Sequence, residues 1–145
     1  MGKRQMVTFK CGEEEYAIDI QLVKEIIRPP AFTRVPKSPE YIKGVINLRG
    51  NIVPVISLSK RLGNIESDLT EQSRIVILTI DDISFGIIVD SVTEVNYLEE
   101  KDIETPELIT TVDAKFVNGV GKIDDRLLIL LNLSEIIDNQ QATNL

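Results

Sequence analysis

Apolar residues fall along this chain in short bursts of period two, separated by polar turn formers, and that pattern predicts strands. Met6 to Lys10 alternates loosely, Cys11-Gly12-Glu13-Glu14-Glu15 is polar, and Tyr16-Ala17-Ile18-Asp19-Ile20 alternates cleanly, so the chain opens on a hairpin. Gln21 to Ile27 suits a strand or a helical turn equally, and Pro29-Pro30 ends it. Thr33 to Pro36 reads as extended, because the residue before a proline avoids helical geometry. Ser38 and Pro39 are in place for the N-cap and first position of a short helix. Gly44 to Leu58 then reads as two buried strands meeting at a turn, with Pro54 predicting an edge or a bulge in the second. Ser57 to Leu62 suits a further short helix stopped by Gly63.

Asn64 to Ser73 is polar and aperiodic, a linker or long loop between halves. Beyond it, Arg74 to Ile80 and Ile83 to Asp90 form strands about an Asp81-Asp82 turn, and Val92, Val95 and Leu98 continue apolar. Glu99 to Leu108 is acidic and loop-like. Lys115 to Val117 leads through Gly119 to a turn at Asp124-Asp125 and the apolar run Leu127 to Leu131. Ser134 to Ile137 has the look of a capped short helix, and the tail from Asn139 is expected to fray.

The two halves resemble each other. Tyr16–Ile26 aligns with Phe85–Val95, matching Ile18 with Ile87, Val23 with Val92 and Glu25 with Glu94. From Gly44 and from Gly119 onward, Gly44-Val45 matches Gly119-Val120 and Leu58-Ser59 matches Leu133-Ser134. Each half thus runs hairpin, connector, hairpin, short helix. The expected fold is mainly β: two small barrels packed together with a few short helices, closed to hide their edges. The expected lobes are residues 16–63 with the N- and C-terminal segments, and residues 74–133.

Composition narrows the function. The net charge of −7 and the 5% aromatic content disfavour nucleic acid, which needs a clustered cationic and aromatic face. Charge is unevenly spread: residues 1–63 carry 11 Lys and Arg against 6 Asp and Glu, a net of +5, while residues 64–145 net −12. A dipolar molecule of this kind suits two-partner or head-to-tail assembly, although ordinary surface solvation accounts for it equally. With no histidine, a Ser-His or Cys-His nucleophile is impossible, and the lone Cys11 permits neither an internal disulfide nor a zinc cluster. No apolar run is long enough for a membrane span or signal sequence, and a reducing cytoplasm fits. The paired acids at residues 13–15, 81–82, 99–100 and 124–125 sit in turns, where solvation explains them. Catalysis is not expected.

What remains is surface for binding. Arg49 is a full charge inside an apolar hairpin, between Leu48 and Gly50, with Asn47 and Asn51 as turn formers. Two readings stand: an arginine snorkelling along its own hairpin, or one held to meet a partner carboxylate or carbonyl. Val23, Ile26, Ile27 and Val35 are candidates to line an apolar groove between the lobes with Arg49 at its rim; inter-lobe core is the other reading of the same residues.

Tyr16 to Ile20, Val23-Lys24-Glu25-Ile26, the run from Tyr41 through Asn47-Leu48-Arg49-Gly50, Ile52 to Ile56 with Leu58, Phe85 to Asp90 and Leu127 to Leu133 together resemble the CheW-type chemotaxis coupling proteins. The resemblance covers nearly the whole chain. It implies two five-stranded SH3-like barrels forming a non-catalytic scaffold that joins the cytoplasmic tips of chemoreceptors to the histidine kinase CheA, with no cofactor and no metal. By motif position, it implies receptor and signalling-complex contacts at Ile20, Val23, Glu25, Asn47 and Arg49, to which Ile26 and Val35 are added from the groove reading. Gly86 and Val95 match the region facing the kinase. Self-association in arrays is a further implication, with no nucleic acid and no direct membrane insertion. Two alternatives are a coupling domain detached from a larger regulator and a barrel that binds nucleic acid.

Overall fold

The strands over residues 74–80, 83–89 and 126–131 are apolar on both faces because both faces are buried. A computed structural model describes residues 3–104 and 114–137. In chain order the elements are β1 (Arg4–Cys11), β2 (Glu14–Asp19), β3 (Val23–Ile27), β4 (Ile42–Leu48), β5 (Asn51–Ser57), α1 (Leu58–Arg61), β6 (Arg74–Ile80) and β7 (Ile83–Val89). Then follow β8 (Ser91–Leu98), β9 (Ile103–Glu104), β10 (Val117–Ile123), β11 (Arg126–Leu131) and α2 (Leu133–Ile136). They build a five-stranded sheet, β3-β6-β7-β5-β4, and a six-stranded sheet, β8-β1-β2-β11-β10-β9. The fold is mainly β with two lobes, as expected; the sixth strand is the two-residue β9.

Alternate residues of each strand feed different cores. Ile75 and Ile77 of β6 point into the five-stranded lobe with Val53, Val55 and Ile88, while Met6, Ala17, Leu98, Leu128 and Leu130 fill the six-stranded lobe. The intervening residues Val76, Leu78, Phe85 and Ile87 meet Phe9, Tyr16, Ile18 and Ile129 in the largest core, which lies between the sheets. Phe9 and Tyr16 stack there with ring centroids 6.0 Å apart.

The lobe boundaries differ from the expected ones. β1 pairs with β8 and β2 with β11 from the second half of the chain, and β6 pairs with β3 and β7 with β5 from the first. Each half therefore lends its first hairpin to the other half's sheet, so residues 16–63 and 74–133 are repeats and not lobes. The repeat itself extends to the parallel pairings: Leu130↔Ala17 joins β11 to β2 as Val55↔Gly86 joins β5 to β7.

Local readings are settled by hydrogen bonding. Gln21 to Ile27 divides between a 3-10 turn over Ile20–Leu22, capped by Asp19, and strand β3. The expected helix at Ser38 is absent: the Ser38 hydroxyl donates to the Val35 carbonyl at 2.7 Å and stabilises a turn. Pro54 lies on an interior strand. Its partner Val45 spends both backbone groups on Thr33 at 2.8 and 2.9 Å, and pairing of β5 with β7 begins only at Val55, so no ladder bond needs the missing amide. The last helix starts at Leu133 with Asn132 as its cap, one residue earlier than the Ser134 pattern suggests. The tail from Asn139 and the latter part of Glu99–Leu108 lie outside the described residues.

Candidate functional site

The β4–β5 hairpin closes through two residues, Arg49 and Gly50, with Leu48 opposite Asn51. Both have positive φ, 51° and 87°, the backbone of a type I′ turn whose twist matches a hairpin. Asn47 fixes the turn by accepting the Gly50 N–H on its Oδ1 at 2.8 Å. Arg49 is thus held on a rigid tip, and its fork meets Glu25 on β3: Nη1 donates to Oε2 at 2.5 Å and Nη2 to Oε1 at 2.6 Å. Since β3 and β4 are opposite edges of the five-stranded sheet, this pair curls the sheet toward closure. Arg49 nevertheless keeps 66% of its side chain exposed, against 23% for Glu25. The arginine both braces its own lobe and faces solvent.

Two exposed apolar side chains lie on the strand and the hairpin that supply this pair. Ile26 follows Glu25 on β3, and Ile52 pairs with Asn47 across the hairpin; the latter is 67% exposed. Ile20 and Val23 flank the same edge half-buried against the central core. The structure therefore brings Glu25, Asn47 and Arg49 together, with Ile26, Ile20 and Val23 alongside. Val35 does not join them. It lines a cleft with Ile42, Lys43 and Lys60, at the end of β4 remote from Arg49, about 20 Å away by strand rise. Ile27 packs into the five-stranded lobe's own core.

Gly86 is not a surface residue. It sits on β7 between β6 and β5, where a Cβ would come within 2.6 Å of Ile75 Cγ2, so its smallness serves strand packing and no partner can touch it. It also belongs to the five-stranded lobe, whereas Val95 lies on β8, an edge of the other.

Val95 is exposed, as is Ile26, its counterpart in the repeat. The alignment of the halves sets Glu94-Val95 on Glu25-Ile26 and exposed Leu127 on exposed Ile52. Here too an arginine holds the glutamate: Arg126 Nη1 donates to Glu94 at 2.8 Å and Nη2 to Glu15 at 2.6 Å. Hydrogen bonding from Arg126 holds the Glu15 carboxyl below its usual range despite partial desolvation, and the arginine's own value rises in return. Ile52, Leu127, Arg126 and the exposed Tyr97 are not among the residues the sequence singles out for binding, although Ile52 and Leu127 face each other in the repeat alignment, eight positions on from Gly44 and Gly119.

Cys11 is buried with its Sγ 2.9 Å from Ser59 Oγ, and burial pushes its thiol up to about 11, which keeps it protonated and unreactive. Among the described residues no group of three His, Cys, Asp or Glu side chains is placed to hold a metal ion, and no helix is long and apolar enough to cross a membrane.

Comparison with known proteins adds the family. The CheW-like domain model matches residues 5–141. "Chemotaxis protein CheW" of Bacillus subtilis is 37% identical over 139 residues, 95% of this chain and 89% of the relative. The protein of that name from Treponema pallidum is 34% identical over 146 residues, 97% of this chain and 86% of the relative. The crystal structure of the scaffolding protein TtCheW from Thermoanaerobacter tengcongensis superposes with a TM-score of 0.88 at 40% identity, covering 95% of this chain and 89% of that one. With a family match over almost its full length and a shared two-lobed β fold, the chain belongs to the CheW-like family of chemotaxis scaffold proteins.

Proposed function

We propose that the chain is a non-catalytic cytoplasmic adaptor that couples the tips of chemoreceptors to the histidine kinase CheA at receptor arrays. Family membership supports the scaffold role, and the surface supports the coupling. The receptor face consists of Ile20, Val23, Glu25, Ile26, Asn47 and Arg49, now joined by Ile52. The kinase face centres on Val95 in the other lobe, with Leu127 and Tyr97 beside it in place of Gly86. The observation that carries this reading is the Arg49–Glu25 fork with its arginine in solvent, together with the exposed isoleucines 26 and 52 on the strand and hairpin that supply it. A preorganised arginine beside exposed aliphatic side chains is the composition of an interface centre, where apolar burial supplies affinity and the charge sets register. An amphipathic receptor helix would lay its apolar stripe on the isoleucines and its acids or carbonyls on Arg49. The repeated arrangement around Val95 offers a second partner a similar but separate surface, and it equally allows copies of the chain to associate within an array.

The test is an NMR titration of the isotope-labelled protein with a receptor cytoplasmic-tip fragment and, separately, with the C-terminal domain of the kinase. Shifts at Val23, Ile26 and Arg49 with the receptor, and at Val95 and Leu127 with the kinase, are expected. Overlapping shifts for the two partners, or none for either, would overturn the two-faced adaptor.

A further inference from the structure

The connection between β3 and β4 is irregular but not loose. Pro29, Pro30, Pro36 and Pro39 restrict its backbone, and the Ser38 hydroxyl ties it to the Val35 carbonyl at 2.7 Å. This segment walls a cleft of about 430 Å³ whose opposite side is the start of β4 and the helix α1. Three cations line it, Arg34, Lys43 and Lys60, against one acid, Glu40, in a protein of net charge −7. On that opposite side, Glu66 Oε1 lies 3.0 Å from the Lys43 ammonium and 3.9 Å from that of Lys60. One carboxylate thus serves two ammonium groups. Arg34 is exposed and has no hydrogen-bond or ion-pair partner among the described residues.

We propose that this cleft is a docking site for an acidic peptide segment of a protein partner, separate from the receptor and kinase faces. With Glu66 counted, three cations face two acids, and the excess positive charge is that of Arg34, which can fork onto an incoming carboxylate. The wall of Val35, Pro36 and Pro39 supplies apolar contact between them. A small inorganic anion would use the charges and leave that wall idle, so the mixed lining fits a peptide in which acidic and aliphatic residues alternate. Rigid prolines lower the ordering cost of binding. The site lies at the end of β4 remote from Arg49, so it can be filled while the tip of the hairpin is engaged.

The experiment is a titration of the full-length labelled protein with a short synthetic peptide alternating glutamate and leucine, with the same peptide carrying glutamine for glutamate, and with inorganic phosphate alone. Shifts at Arg34, Val35 and Lys43 from the acidic peptide only, weakened about tenfold or more by Arg34→Glu and unchanged by Ile26→Glu, are expected. Arg34 is exposed and makes no hydrogen bond or ion pair among the described residues, and thermal unfolding of Arg34→Glu checks that the fold is kept; Lys60→Ala provides a second variant with the same expected direction. Equal binding by the glutamine peptide, equal shifts with phosphate alone, or indifference to Arg34→Glu would each overturn the proposal.

Discussion

Replacing Arg49 by alanine separates its two duties. In the free protein the change removes a bidentate ion pair whose arginine is two-thirds exposed and whose glutamate is mostly covered. Exposed pairs contribute about 0–1 kcal/mol, and the good geometry here puts the loss near about 1 kcal/mol. The turn adds little, because alanine at φ 51° is strained to the same degree as arginine. For a chain of this size, about 1 kcal/mol lowers the thermal midpoint by about 2–4 °C. In the complex proposed above the expected loss is larger, since truncation would leave Glu25 desolvated under the partner without its counter-charge, at about 2–5 kcal/mol, or roughly thirtyfold or more in affinity. Thermal unfolding followed by circular dichroism, and calorimetric titration with a receptor-tip fragment, measure the two effects. The exchange variant Glu25→Arg with Arg49→Glu restores the midpoint and not the affinity. A midpoint drop beyond about 10 °C, or unchanged affinity, refutes the reasoning: the first makes Arg49 a structural keystone, the second removes it from the interface.

Three further outcomes follow from particular contacts. Gly86→Ala forces a methyl to within 2.6 Å of Ile75 Cγ2 and 3.2 Å of Ile77 Cδ1, and overpacking of that kind costs about 1–3 kcal/mol; chemical denaturation should show it, while kinase affinity of the folded fraction stays unchanged. The Tyr16 hydroxyl is buried with no hydrogen-bond partner among the described residues, so Tyr16→Phe should leave stability to denaturant equal or higher, by up to about 2 kcal/mol; a marked loss would show the hydroxyl to be partnered in solution. Arg126 hydrogen bonds lower the Glu15 pKa, and Glu66 is lowered too, because Ser57, Lys43 and Lys60 outweigh the opposing effect of its burial. Folded values below the unfolded value of 4.5 mean that this stabilisation is complete above that pH and is lost as pH falls through the depressed values. Arg126→Met should therefore raise the pH at which acid unfolding begins, and an unmoved acid limb would show that Glu15 does not contribute.

Strand positions were legible because burial on both faces leaves continuous apolar bursts cut by Asp81-Asp82, Asp124-Asp125 and Arg49-Gly50. The repeat was legible for the same reason, since equivalent strands fill equivalent core sites. Strand pairing was not. Nothing in the pattern of Met6 to Ile20 states that its hydrogen-bonding neighbours are β8 and β11, because period-two alternation encodes which face is buried and not which edge is paired. Gly86 shows the same limit: a glycine in a strand signals close approach, and only the sheet order shows that what approaches is Ile75 and not a partner protein. The Ser38-Pro39 pattern failed because local capping chemistry serves turns as readily as helices. Arg49 was conspicuous as a charge among apolar neighbours, but its carboxylate, Glu25, is brought to it only by closure of the sheet.

The exchange of hairpins constrains how such a scaffold can transmit a signal. Each half of the chain is woven into both sheets, and the largest core lies between them. Arg61 of α1 adds a staple across the lobes: it donates to the carbonyls of Glu135 and Ile136 at 2.8 Å each, with its guanidinium over Tyr41 and Phe116. Parting the lobes would expose side chains such as Phe9, Tyr16, Phe85 and Ile87, at about 2 kcal/mol each. Even a handful of them exceeds the roughly 1–3 kcal/mol by which one ligand usually influences another's site. Opening of the lobes is therefore too costly to carry information between the Arg49 face and the Val95 face. What such a body can pass on is its own displacement, so regulation through it must reside in small shifts at the joints with its partners, where surface side chains and not the shared core rearrange.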